Sequence, residues 1–173
     1  MIVPELMRIF MDDYHYSWDD AFNIVSKTLA YTNHTVLAEA LEKWPEDMMR
    51  RLLPRIYQII HELNERHCRR IYEKFAGDWG KCSHMAIISG GVIHMANLCI
   101  MGSHNVNGVS ELHSDILKKS VFKDFYDDTP EKFTNVTNGI AHRRWLCQAN
   151  PRLAKLLDDT IGNSYKKNGP DLI

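Results

Sequence analysis

The longest regular pattern in the chain is an apolar stripe that recurs at helical spacing between residues 55 and 75. The stripe consists mainly of branched aliphatic residues: Ile56, Ile59, Ile60, Leu63, His67, Ile71 and Phe75. The positions between them are largely charged, so one face is apolar and the rest is solvated. Pro54 interrupts the preceding helix, and Gly77 and Gly80 end the pattern. The sequence therefore predicts a long amphipathic helix packed through its stripe on the rest of the protein.

Two other helices have clear start signals. Ser17 and Asp20 form a capping box with Asp in place of Glu, and helical spacing then continues to about Tyr31. Asn150 and Pro151 are typical of a helix start. We expect the apolar residues of this last helix to face inward: Leu153, Leu156, Leu157 and Ile161.

Extended structure is predicted in two places. The apolar run 92–101 ends at Gly102, and its second half is interpreted as a buried strand. Residues 133–140 form an extended segment. Together with the helices, these segments predict an α/β fold that is mainly helical.

Composition narrows the class of protein. The 173 residues suffice for one domain with a substantial core, and 45% apolar with 25% charged residues is typical of a globular protein. A net charge of −1 argues against a general binder of nucleic acid or anionic membranes. With no apolar run of transmembrane length and no secretory leader, we expect a cytoplasmic protein.

The four cysteines are predicted to be reduced and mostly packed, because they form no C-x-x-C motif and no evident disulfide framework. Zinc ligation could be argued from two of them with two nearby histidines: His67, Cys68, Cys82 and His84. Their spacing fits no common zinc pattern, so we expect no metal site.

Three polar loops, rich in Asn, His and Gly, lie between the helical segments. They are residues 31–35, 102–109 and 137–146. Asn, His and backbone groups bind sugar hydroxyls directionally without burying a full charge, so recognition of a polar ligand is one interpretation. The second loop lacks both G-x-G-x-x-G and the P-loop lysine, which argues against a nucleotide site.

Each prominent residue of these loops also has an ordinary structural interpretation. His34 fits either polar recognition or a satisfied structural histidine, and Asn138-Gly139 fits either recognition or a simple turn. Trp145 could lie in the core or present its ring to a ligand. No segment matches a Ser-His-Asp set or H-E-x-x-H.

The sequences of these segments, and their order along the chain, resemble those of the α-glucan phosphorylases, which act on glycogen, starch or maltodextrin. The resemblance runs nearly end to end and is carried by the following segments: Ile2-Val3-Pro4-Glu5-Leu6-Met7-Arg8, Ala30-Tyr31-Thr32-Asn33-His34-Thr35-Val36-Leu37, Glu39-Ala40-Leu41-Glu42-Lys43-Trp44-Pro45, Gly102-Ser103-His104, Val106-Asn107-Gly108-Val109, His113-Ser114, Thr137-Asn138-Gly139-Ile140 and Arg143-Arg144-Trp145-Leu146.

The resemblance implies a slice of a glycosyltransferase fold with two Rossmann-like domains facing a cleft. Residues 1–137 would end the N-terminal catalytic domain, and 138–173 would form the crossing segment and the start of the C-terminal domain. The implied parent is a cytoplasmic homodimer that uses phosphate and pyridoxal phosphate to release glucose 1-phosphate from α-1,4-glucan.

The resemblance also implies substrate-binding roles. His34 matches a histidine whose backbone carbonyl helps to hold the glucosyl 6-hydroxyl, and Asn138 matches an asparagine that binds the same region of the sugar. Thr35 and Val109 match positions that line the pocket, and Glu42 matches an acid near it.

For the cofactor, the resemblance implies that Trp145 lies beside pyridoxal phosphate. The family motif Ser-Gly-Thr-Gly-Asn-Met-Lys, whose lysine binds that cofactor, does not occur in this sequence. No catalytic set is therefore complete here, and the chain alone is predicted to be inactive and to self-associate. The alternative is a non-catalytic helical module that binds a glucan or a protein.

Overall fold

The computed structural model describes residues 1–141 and 143–167. The chain forms two compact units, Met1–Thr137 and Asn138–Ile173. Within the predicted segment 138–173, residue 142 and residues 168–173 lie outside the part of the chain that the structure describes. The architecture is α/β, mainly helical with small sheets, which confirms the predicted class.

The first unit contains eight α-helices among its described residues. In chain order, α1 to α8 are Ile2–Arg8, Trp18–Thr28, Glu46–Leu52, Pro54–Lys74, Trp79–Met85, Met95–Met101, Glu111–Ile116 and Lys123–Asp128. The strands β1 to β6 are Ala30–Thr32, Lys43–Pro45, Ile88–Ser89, Val92–His94, Asn105–Gly108 and Phe133–Asn135. Short π-helical or 3-10 segments are Ile9–Asp13, Ala38–Ala40, Leu117–Val121 and Pro130–Lys132.

The long helix α4 confirms the prediction from the apolar stripe. Pro54 occupies its first turn, and Ile59, Ile60 and Ile71 are buried against α1, α2 and the neighbouring helices. Its last turn is closed by Gly77, which has φ of 86° and donates to the Tyr72 carbonyl at 2.9 Å. Among the described residues, no helix has the length and apolarity needed to cross a bilayer.

Helix α2 begins as predicted but ends early. Ser17 accepts a hydrogen bond from the Asp20 backbone at 3.2 Å and donates to its carboxylate at 2.7 Å. The helix ends at Thr28 rather than near Tyr31, because residues 30–32 form β1 and pair with β5. Strand pairing between distant segments here overrides a local helical pattern.

The prediction of a buried strand in the second half of the apolar run 92–101 is wrong. Its second half is helix α6, not a buried strand, and only residues 92–94 are extended. Met95, Leu98 and Ile100 are all buried, so the segment is apolar on several sides and its spacing does not distinguish helix from strand. The extended segment 133–140 is likewise a strand only at residues 133–135.

In the second unit, a π-helical segment Arg143–Gln148 precedes α9, Pro151–Ile161, and a 3-10 turn Ser164–Lys166 follows. The Asn150 side chain accepts from the Leu153 backbone at 3.2 Å, which confirms the predicted cap. The inward orientation of the apolar residues is wrong for three of them: Leu153, Leu156 and Ile161 are 39%, 60% and 48% exposed. The helix instead packs through Ala154, whose carbonyl accepts from the buried Tyr165 hydroxyl.

The strands form two three-stranded sheets. Sheet A has the order β1-β5-β6 and is parallel throughout, with Tyr31 opposite Val106 and Val106 opposite Phe133. Sheet B has the order β2-β4-β3 and is antiparallel. In sheet A all three carboxyl ends lie at one edge, where open parallel sheets commonly bind ligands.

Candidate functional site

The carboxyl edge of sheet A brings two of the polar loops together. β1 continues into Asn33, His34 and Thr35, and the neighbouring β5 continues into Val109. Three of the predicted substrate-binding residues, His34, Thr35 and Val109, therefore lie at one edge of one sheet. The pairing of β1 with β5 makes these loops neighbours, although they are more than seventy residues apart in the sequence.

Asn33 fixes the shape of the first loop. It is 1% exposed, and its backbone N–H donates to the Asn107 carbonyl at 2.9 Å. Its side-chain oxygen accepts from the Thr35 N–H at 2.9 Å, and its amide nitrogen donates to the Tyr31 hydroxyl at 3.2 Å. This Asx turn leaves the intervening His34 exposed.

His113 connects the two loops. The Val109 N–H donates to His113 Nδ1 at 3.1 Å, so Nδ1 is the unprotonated nitrogen. The proton is therefore on Nε2, which donates to the side-chain oxygen of Asn33 at 3.1 Å. A single neutral imidazole thus bridges the loops that follow β1 and β5.

The end of β6 is tied to the same helix, α7. Ser114 Oγ donates to the Asn135 side-chain oxygen at 2.9 Å, and the Asn135 amide donates to Thr137 at 3.2 Å. Gly108 makes this close approach possible, because a Cβ there would lie 2.5 Å from Ser114 Oγ and 2.9 Å from its backbone. The chain leading towards Asn138 is therefore held in place up to Thr137.

Glu42, the acid that the resemblance implies near the pocket, acts electrostatically on Tyr31. Burial raises the pKa of the Tyr31 hydroxyl, the hydrogen bond from Asn33 opposes the change, and the charge of Glu42 raises the pKa further. The Glu42 side chain itself is exposed and accepts a hydrogen bond from the Trp44 indole. Glu42 immediately precedes β2, and its charge acts on the Tyr31 hydroxyl of β1.

The two predicted residues of the second unit are both exposed. Asn138 and Gly139 belong to an irregular segment, and a Cβ at Gly139 would meet no atom within 4 Å. Trp145 is 69% exposed, with the Arg144 guanidinium 5.8 Å from its ring. The core interpretation of Trp145 is therefore wrong, and its ring face is open to contact.

Three of the four residues considered for zinc have other polar partners, and the fourth, His67, stacks on Phe125. Cys68 donates to the Asn64 side chain, Cys82 donates to the Cys68 carbonyl, and His84 contacts Asp124. All four cysteines of the protein are free thiols. In the part of the chain that the structure describes, no three His, Cys, Asp or Glu side chains are grouped as a metal site.

Sequence reasoning missed the residues that organise the edge: Asn33, His113, Ser114 and Asn135. A signal was available for the first, because an Asn two residues before a Thr in a polar loop is typical of an Asx turn. The bridging role of His113 had no local signal, since its partners lie four and eighty residues away.

Comparison with known proteins identifies the family. The sequence profile of the carbohydrate phosphorylases matches residues 1–173. The chain belongs to the carbohydrate phosphorylase family. It is 51% identical over its whole length to the glycogen phosphorylase of Bacillus subtilis (strain 168), and 51% identical over 95% of its length to the muscle form of Mus musculus. It covers 22% and 20% of those proteins, about a fifth of each.

Trp145 is the residue that the resemblance implies beside pyridoxal phosphate. Trp145 offers an exposed aromatic face, while the neighbouring Arg143 donates to the Lys166 carbonyl at 3.1 Å. An exposed aromatic ring can pack against a flat cofactor ring, so the exposure of Trp145 is compatible with the predicted position.

Proposed function

We propose that this chain forms part of the substrate-recognition surface of an α-glucan phosphorylase, which transfers glucosyl units from α-1,4-glucan to phosphate. The observation that carries the proposal is the meeting of His34, Thr35 and Val109 at the carboxyl edge of sheet A. Family membership supplies the substrate class, and the edge supplies a place where sugar hydroxyls can be bound.

The chemistry of the edge suits a neutral, hydroxyl-rich ligand. Asn33 and His113 lock the loops, so little conformational freedom is lost when a sugar binds. Thr35 Oγ1 accepts from the Leu37 N–H at 3.1 Å and retains its own proton for donation. We assign the carbonyl of His34 and the side chain of Asn138 to the 6-hydroxyl region of the sugar, Thr35 and Val109 to the lining of the pocket, and Glu42 to a position near it.

In the whole protein we assign residues 1–137 to the end of the N-terminal domain and 138–173 to the crossing segment and the start of the C-terminal one. Pyridoxal phosphate, when bound in the parent, supplies a phosphate group for proton transfer, and Trp145 would lie beside it. The parent is proposed to be a cytoplasmic homodimer. The isolated chain is proposed to be inactive, because its sequence lacks the cofactor lysine.

Calorimetric titration with maltopentaose tests the recognition role. Asn138→Ala is expected to weaken binding about fivefold, which corresponds to one net hydrogen bond of ~1 kcal/mol. Asn23→Ala, at an exposed position of α2, is the matched control and should leave affinity unchanged. Equal affinity of both variants and the unaltered chain would contradict the assignment.

The alternative of a helical binding module predicts a different result. Binding would then survive Asn138→Ala and be lost on replacing the exposed Glu65 and Arg69 of α4. The structure makes this less favourable, because the apolar stripe of α4 is buried in the core and only its charged face remains.

Two further properties can be measured on the purified chain. Incubation with maltodextrin and phosphate should yield no glucose 1-phosphate, and its release would refute the proposed inactivity.

Self-association is also proposed, because apolar side chains are exposed in the second unit: Ile140, Trp145, Leu153, Leu156 and Ile161. A monomer in light scattering at high concentration would contradict it.

A further inference from the structure

A cavity of about 240 Å³ opens between α2, α4 and the chain before β6. Its walls are mainly apolar and include Phe22, Leu63, Ile100 and Phe125. Phe125 is held in place by stacking on His67, with the ring centroids 6.1 Å apart and the planes 9° from parallel. The cavity is therefore a preformed space of a size that suits a small aromatic molecule.

The cavity lies away from the proposed glucan site. Lys132, one of its lining residues, immediately precedes β6, and Met101 precedes β5 by a few residues. Both residues are thus at the amino edge of sheet A, whereas His34 and Val109 are at the carboxyl edge. The two sites are separated by the length of the strands.

Among the described residues at this cavity, Lys132 is a charged group without an ion-pair partner. It is half-buried, and its ammonium donates to the carbonyls of Ile100 and Met101 at 3.3 and 3.4 Å, both long hydrogen bonds. Among residues 1–141 and 143–167 it has no carboxylate within ion-pair distance. Burial lowers its pKa and the nearby Arg70 lowers it further, while the charges of Asp128 and Glu131 oppose this change without forming an ion pair with Lys132.

The other charges at the cavity are already paired. Asp128 accepts from Arg70 at 2.9 and 2.6 Å and from Lys74 at 2.9 Å, which occupies both of its oxygens. Arg66 pairs with Glu62 at 2.7 Å and with Asp19 at 3.1 Å. Its guanidinium also lies 4.8 Å from the centroid of the Trp18 ring. Among the described residues that line the cavity, Lys132 is thus the cation without an ion-pair partner, and a ligand anion can neutralise it.

We propose that this cavity binds a small organic monocarboxylate with an aromatic or aliphatic body, whose carboxylate pairs with Lys132. The body of the ligand replaces water along the Ile100 and Phe125 side chains, which contributes hydrophobic stabilisation. A charged hydrogen bond to the ammonium then fixes its orientation.

The test compares two probes of the same shape on the unaltered chain. Sodium 4-phenylbutyrate carries the carboxylate, and 4-phenylbutanol has the same body without the charge. In amide NMR titrations at neutral pH, the carboxylate is expected to bind about tenfold more tightly, with shifts at residues 100–101 and 125–132. Equal affinity for both probes, absence of binding by the carboxylate, or shifts elsewhere would overturn the proposal.

Two lysine variants then assign the charge. Lys132→Met keeps the unbranched stem of the side chain without the ammonium, and should remove the preference for 4-phenylbutyrate while leaving the affinity for 4-phenylbutanol unchanged. Lys119→Met is the matched control, because Lys119 is exposed and pairs with Asp115 on the same local segment. Retention of the preference in Lys132→Met would overturn the proposal. If that variant does not fold, the comparison of the two probes on the unaltered chain still decides.

Discussion

Replacing His113 tests whether one imidazole holds the two loops at the carboxyl edge together. The side chain makes two hydrogen bonds of 3.1 Å, one from the Val109 N–H to Nδ1 and one from Nε2 to Asn33. Each contributes about 1 kcal/mol net, so His113→Ala should lower the free energy of unfolding by about 2 kcal/mol. Urea denaturation measures this loss.

Two amide variants separate the bonds. His113→Asn places its amide oxygen near the position of Nδ1 and should keep the bond from Val109, whereas His113→Gln places its amide nitrogen near Nε2 and should keep the bond to Asn33. Each variant should therefore lose about 1 kcal/mol. Native-state hydrogen exchange should show reduced protection of the Val109 amide in the Ala and Gln variants but near-normal protection in Asn.

Two results would refute the role of His113 in holding the loop. If all three variants lose the same protection at Val109, the protection depends on the volume of the imidazole and not on the hydrogen bond. If none of them loses protection at Val109, His113 does not hold the loop. In either case the assignment of the Nε2-protonated tautomer fails as well, because that assignment depends on the Val109 bond.

Three further predictions follow from packing, burial and capping. Gly108→Ala should destabilise the protein by about 1–3 kcal/mol in urea denaturation, because its Cβ would meet the α7 backbone, while Gly139→Ala should be nearly neutral; similar effects would contradict the packing argument. Burial lowers the pKa of His67 to about 4, and the Met85 carbonyl opposes this without forming a hydrogen bond of normal geometry. The unfolded chain binds the proton near pH 6.5, so stability should fall by about 3 kcal/mol as the pH drops from about 6.5 to about 4. His67→Phe should remove that slope in urea denaturation across this range, and an unchanged slope would assign it to other groups. Ser17→Ala should cost about 1 kcal/mol by losing the α2 cap, measured by thermal unfolding; no change would show that the cap is replaced by water.

Local patterns predicted those parts of the fold that local forces determine. The stripe of α4 and the caps at Ser17 and Asn150 act within a few residues, and the structure confirms all three. The end of α2 depends on β1 pairing with a strand more than seventy residues away, so no local signal gives it. The α6 segment was mistaken for a strand because burial on several sides removes the periodicity that separates helix from strand.

For the candidate site too, the sequence predicted the residue types but not their arrangement in space. Polar residue types indicated the loops that contain His34 and Val109, and family resemblance selected Val109 and gave both residues roles. Their meeting depends on the parallel order β1-β5-β6, which places two distant loops at one edge. The bridging by His113 follows only from that arrangement, because a histidine in a short amphipathic helix has no distinguishing local pattern.

The most direct test of the account is the amide proton–nitrogen NMR spectrum of this chain with and without maltopentaose. If the carboxyl edge of sheet A recognises glucan, the amides of His34, Thr35 and Val109 should shift in a saturable way, with Asn138 among the affected residues. A dispersed spectrum in which these amides do not move, or in which shifts are confined to the exposed face of α4, would contradict it.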